Sequence, residues 1–248
     1  MKLGPVFREG IQIYLAEGHG FAAYFYLLIL LAPVVFLALF LPSLDAQVWV
    51  GPAHLFKVSC AAAMILIVYF SLRVANQEFA PWRFLPLRRW LRDEGVSPTE
   101  LARAQLALLS LQVLLLVLLS SPMLIWSAAI ARIPAGATLV VFLLLLFYPL
   151  AYGVWGLAAL ALWERRLETR QVFVRSLFIG AVFVSAALYV PLNPIAFLLS
   201  TLDEKEMAPL RLWGWQWPAS AVHFMFHILL LVSALLVYRW ALRREAHR

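Results

Sequence analysis

Charged residues are scarce in this chain. Asp, Glu, Lys and Arg make up only 13% of its 248 residues, while 64% are hydrophobic. A soluble domain carries about 25% charged and about 45–50% apolar residues, because its surface must face water. A soluble globule and a disordered chain are both excluded. Lysine occurs only at Lys2, Lys57 and Lys205, and none of them follows a glycine, so no phosphate-cradling P-loop is present. The H-E-x-x-H, G-x-S-x-G and G-x-G-x-x-G signatures are missing too. Cys60 is the single cysteine, which rules out a disulfide within the chain and a cysteine-based metal cluster. It reads as a small buried apolar residue.

What the chain has instead is long apolar runs. A helical span needs about 20 such residues, and six runs qualify: 21–41, 53–72, 105–131, 136–163, 172–190 and 218–242. The expected fold is an all-α integral membrane protein, one transmembrane domain over residues 1–248, with no room for a large extramembrane module. Pro33 and Pro149 should kink their helices. The first run is too long for a signal-peptide core and no small-residue cleavage site follows it, so it is expected to be retained as a span.

Loop charge orients the spans. With the N-terminus inside, sixteen of the twenty basic residues fall on the inner side, and only Lys57, Arg132, Lys205 and Arg211 fall outside. The whole formal charge of +7 then lies on the inner face, as the positive-inside rule requires. That face should attract anionic lipid head groups. Nucleic acid is not an expected partner, because the arginines flank spans and form no separate basic module.

Four segments are not spans. Gly4–Gly18 places Val6, Phe7, Ile11, Tyr14 and Leu15 near one helical face, which predicts an N-terminal helix lying in the membrane interface. The inner loop 73–103 interleaves arginines with Trp82, Phe84 and Trp90 and should hug the interface. It ends in Ser97, Pro98 and Glu100, a capping residue, a first-turn proline and a capping-box acid, so the third helix is expected to begin near Pro98. The charged stretch Arg88, Arg89, Arg92, Asp93, Glu94, Gly95, Ser97, Pro98 and Glu100 is left at the inner surface as a candidate docking site. Residues 163–175 form a second polar inner connection. The outer segment 191–217 carries Asn193-Pro194, an apolar stretch too short to span, and Trp213, Trp215 and Trp217, which suit the outer aromatic belt.

The spans hold no Asp or Glu, which argues against ion- or proton-coupled transport. Their neutral polar residues most simply bond neighbouring helices, and Ala181 and Ser185 would let helices approach closely. Gln112, Ser121, Tyr148 and Tyr152 are candidates to line a path for an amphipathic or lipid-like substrate. His223 and His227 share a helix face, and His54 lies near the outer end of the second run. They are weak candidates for metal or haem, since no third ligand is evident; the expected metal set is none.

In order and spacing these features resemble the ABC-2 type permeases, the transmembrane subunits of a class of ABC exporters. The likeness rests on the N-terminal interfacial helix Gly4–Gly18, six spans with both ends inside, the inner segment from Arg92-Asp93-Glu94-Gly95 to Gln105, and the outer Asn193-Pro194 segment. It spans nearly the whole chain. Two departures stand out: the family's Glu-rich, Gly-Thr-Leu-like stretch is only faintly echoed at Asp93-Glu94-Gly95, and Gln105 replaces a frequent lysine. The resemblance implies a coupling helix between spans two and three that seats in an ATPase, and a re-entrant segment between spans five and six. It implies two permease copies with the path at their interface, two copies of a separate ABC ATPase holding ATP and Mg, and no enzymatic activity or cofactor in this chain. The implied location is a bacterial inner membrane. Two other classes of function compete with it: a haem- or metal-handling protein built on His54, His223 and His227, and a non-transporting envelope scaffold.

Overall fold

The computed structural model describes residues 4–40, 51–212 and 214–247. Six helices are long and apolar enough to cross a membrane: α2 (Phe21–Phe40), α3 (Gly51–Ala75), α5 (Pro98–Ile130), α6 (Ala135–Leu162), α7 (Leu167–Leu188) and α9 (Ala219–His247). Three short helices accompany them: α1 (Pro5–Ile11), α4 (Leu87–Arg92) and α8 (Pro194–Leu202). The runs read from the sequence coincide with the long helices to within a few residues at most ends. The end of the first run, Leu41, lies outside the described residues.

Ser97 caps α5 as its spacing predicts, its hydroxyl accepting the Glu100 N–H at 3.2 Å, with Pro98 in the first position. The 33 residues of α5 rise to about 50 Å, well beyond the ~30 Å hydrocarbon core. Pro33, Pro122 and Pro149 each sit inside a long helix.

The core forms around α6, which packs against α3, α5 and α9. Its lower half, from Tyr148 to Ala161, is nearly all buried and rich in alanine and glycine. Small residues let backbones approach where no apolar driving force separates helix from lipid. The closest approach is at Gly156, where an added Cβ would lie 2.6 Å from the Leu72 carbonyl oxygen and 3.0 Å from Ala75 Cβ. On α7, Ser185 is buried and Ala181 half-buried, and the Ser185 hydroxyl donates to the Val182 carbonyl of its own helix. Gly156→Ala is expected to wedge α3 from α6 and cost about 1–3 kcal/mol. Thermal unfolding in detergent checks this, with Gly136→Ala, which meets nothing within 4 Å, as the unaffected control.

The N-terminal segment is a helix, but it is docked and not merely laid on an interface. After α1 it continues as one π-helical turn, Gln12–Ala16, and Gly18 at φ +78° reverses the chain into α2. Val6, Ile13 and Tyr14 are buried, and the Tyr14 hydroxyl donates to the Val74 carbonyl at 2.8 Å.

At the opposite end Asn193 caps α8, accepting from the Ile195 and Ala196 N–H groups at 3.0 Å, and donates to the Val182 carbonyl at 2.9 Å. Lys57 on α3 is bonded to Asp203, just past α8, and that ammonium holds the Asp203 carboxyl below the usual carboxylate range. One element departs from the all-α expectation. Leu210–Leu212 (β1) and Trp215–Trp217 (β2) form a small antiparallel hairpin that turns through Gly214 at φ +82°. Trp215 and Trp217 are exposed on it, and Trp213 lies outside the described residues.

Candidate functional site

The loop between α3 and α5 carries the residues singled out for docking. Two carboxylates hold it against the bundle. Glu9 of α1 accepts the Leu85 N–H at 3.1 Å, and Glu164, in the turn after α6, accepts the Leu87 N–H at 2.5 Å. The second bond places an anion at the N-terminus of α4, where the backbone amides are unpaired. Leu87, Trp90 and Val96 turn inward and are buried. Arg88, Arg89, Arg92, Asp93, Glu94, Gly95, Ser97 and Glu100 are exposed, and Pro98 is half-buried. Gly95, at φ +62°, folds the chain back so that the Val96 N–H reaches the Trp90 carbonyl at 2.9 Å. Arg89 stands 3.7 Å from Asp93, and Arg92 donates to the Glu245 carbonyl of α9 at 3.4 Å. The segment is thus a charged tip on an apolar anchor seated against α5 and α9.

Burial pushes the Glu164 carboxyl up, an effect partly offset by the Leu87 N–H, and Glu245 raises it further while Arg170 and Arg88 oppose this. The folded chain therefore binds this proton more tightly than the unfolded chain does. The linked stability is greatest below the ordinary carboxyl value of 4.5 and is lost as pH rises through the folded value. Glu164→Gln keeps an acceptor for Leu87 without the charge. Its melting temperature is expected to gain on that of the parent as pH is raised from about 4 to about 7; a constant difference would contradict this reading.

A second cluster lies where α3 meets α7. The Glu78 side chain is 1% exposed and accepts from Arg73 Nε at 3.0 Å, Arg175 Nη2 at 3.3 Å and Asn76 Nδ2 at 3.2 Å. The Arg73 guanidinium also covers the Tyr69 and Phe79 rings, 5.3 and 4.8 Å from their centroids. Arg170, 4% exposed, stands within electrostatic reach of Glu78 and Glu164. Sequence reasoning passed over Glu78, although it is the one acidic residue between Arg73 and Arg92.

The pathway and histidine candidates regroup. Tyr148 and Tyr152 on α6 face His223 and His227 on α9, and all four are fully buried. Two i, i+4 pairs meet face to face because the two helices run in parallel. His223 Nδ1 lies 2.6 Å from the Pro191 carbonyl, so it carries the proton and donates, and Nε2 accepts the Tyr148 hydroxyl at 2.5 Å. His227 repeats the pattern, with Nδ1 donating to the His223 carbonyl at 2.9 Å and Nε2 facing the Tyr152 hydroxyl at 3.4 Å. Phe197 of α8 stacks on His223 with centroids 3.8 Å apart and planes 9° apart. The cluster joins α6, α8 and α9, and the ring lone pairs a metal would use already meet tyrosine hydroxyls. His54 is exposed near the start of α3. Among the described residues no group of three His, Cys, Asp or Glu side chains could hold a metal ion.

Gln112 and Ser121 lie elsewhere. Gln112 lines a cavity of about 30 Å³ with Tyr14, Gln105 and Leu109, space for about one water, and its Nε2 has no partner there. Gln105 accepts the Tyr238 hydroxyl. Ser121 donates to its own helix at Leu118, 2.7 Å away.

No protein-family model, curated protein or solved structure matches this chain.

Proposed function

We propose that this chain is the transmembrane subunit of an ATP-driven exporter of the ABC-2 type, set in a bacterial inner membrane with both termini cytoplasmic. A separate ATPase, two copies binding ATP and Mg, supplies the energy, and a second permease copy completes the path. The observation that carries this reading is the segment from Leu87 to Glu100: an exposed, mixed-charge tip fixed through Leu87 and Trp90 to helices that run the length of the bundle. Such a tip can take up a push from a soluble partner, whereas a solvated loop would yield to it. The chain itself has no P-loop lysine and no acid in its spans.

Other features agree with the reading. The docked α1 answers to the family's N-terminal helix, and α8 to its re-entrant segment. Segments assigned to the inner side meet at one end of the bundle, as Leu87–Glu164 and Arg92–Glu245 bonds attest, and the outer pair Lys57–Asp203 lies at the other. The scarcity of polar groups in the spans favours a lipid-like or amphipathic substrate. The direct test is purification in mild detergent from the native host. An ABC-type ATPase in stoichiometric amount is expected, and a stable complex lacking one would sink the proposal.

A further inference from the structure

The three inner-side segments enclose a cleft of about 580 Å³ that docking alone does not explain. Arg88 and Arg92 come from α4, Arg165 and Arg166 from the turn after α6, and Arg244 from the end of α9. Among the described residues only Glu164 and Glu245 line it with the opposite sign, and Glu164 is engaged with the Leu87 N–H. The C-termini of α6 and α9 offset about one further charge between them. A positive surplus of about two therefore remains around one concavity.

The rest of the lining is apolar. Ala161, Leu162 and Trp163 are the last turn of α6 and the residue that ends it, the level at which a span meets head groups. Guanidinium groups are planar forks that match phosphate oxygens in pairs. Basic pockets between helices on the inner side suit anionic lipid head groups. We infer that this cleft binds the phosphate of an anionic glycerophospholipid from the inner leaflet, with guanidinium groups of Arg165, Arg166 and Arg244 on the phosphate and the glycerol end against Leu162 and Trp163. A lipid seated there braces α4 from behind through Arg88 and Arg92. The lipid source follows from the apolar wall, which a free phosphate would leave unused.

No ATPase is required for this binding, so it stands or falls independently of the transport reading. The test uses the purified full chain in a neutral detergent, titrated with short-chain phosphatidylglycerol, short-chain phosphatidylcholine or inorganic phosphate while the melting temperature is followed. Saturating phosphatidylglycerol is expected to raise it by about 5 °C, and the other two by far less. Replacing Arg165, Arg166 and Arg244 by glutamine should remove the response, whereas Arg83→Gln with Arg103→Gln, exposed arginines outside the cleft, should keep it. If the triple variant is not recovered, Arg165→Gln alone should weaken binding about fivefold. Equal stabilisation by phosphatidylcholine or inorganic phosphate, no stabilisation at all, or an undiminished response in the cleft variants would overturn the assignment.

Discussion

Glu78→Ala is expected to be the most destabilising single substitution in the chain, at about 3 kcal/mol or more. The carboxylate is almost wholly buried, and three donors converge on it. Removing it leaves Arg73 and Asn76 without their acceptor, and half-exposed Arg175 can turn to water only in part. Deleting one partner of a buried ion pair costs more than the pair is worth, because the stranded charge is still poorly solvated. The loss should appear as a fall in melting temperature of about 6–10 °C. Glu78→Gln retains an acceptor oxygen and should fall between parent and alanine variant. A Glu78→Ala protein melting within a degree of the parent would show that the cluster is looser than its geometry.

Reversing the charges of Arg92, Asp93 and Glu94 together should do the opposite: little to the fold and much to function. All three are exposed, and the anchors Leu87 and Trp90 are untouched. If a partner ATPase seats on this tip, like charges now face each other across the contact, a change worth several kcal/mol. Coupled ATP hydrolysis by the complex is expected to drop at least about tenfold, since about 1.4 kcal/mol already gives that factor. Gly95→Val probes shape and not charge. Its left-handed backbone would cost a branched residue roughly 1–2 kcal/mol and shift the tip. Unchanged coupled hydrolysis in both variants, each recovered folded, would move the docking surface elsewhere.

The spans were legible because bilayer thickness sets a length scale and apolar runs report it directly. The start of α5 was legible because Ser97, Pro98 and Glu100 act within one turn. The hairpin was not: Leu210–Leu212 and Trp215–Trp217 are three residues each, too short for alternation to show, and the tryptophans had a simpler reading in the aromatic belt. Glu9 and Glu164 were invisible as clamps, since each bonds a backbone N–H from a remote loop and no side-chain pattern records that. Tyr148 and Tyr152 were read as path-lining and His223 and His227 as weak ligands. Only tertiary contact shows that they satisfy one another, because the register of α6 against α9 is not written in either helix.

The reach of α5 has a mechanical consequence. Its capped start lies beside the charged tip, and near its other end Trp126 meets Phe36 of α2 with ring centroids 6.3 Å apart. A stiff rod of about 50 Å that rocks by about 5° carries its far end through about 4 Å, most of a helical pitch. Rocking about its capped start would slide the Trp126–Phe36 contact by about the width of a side chain.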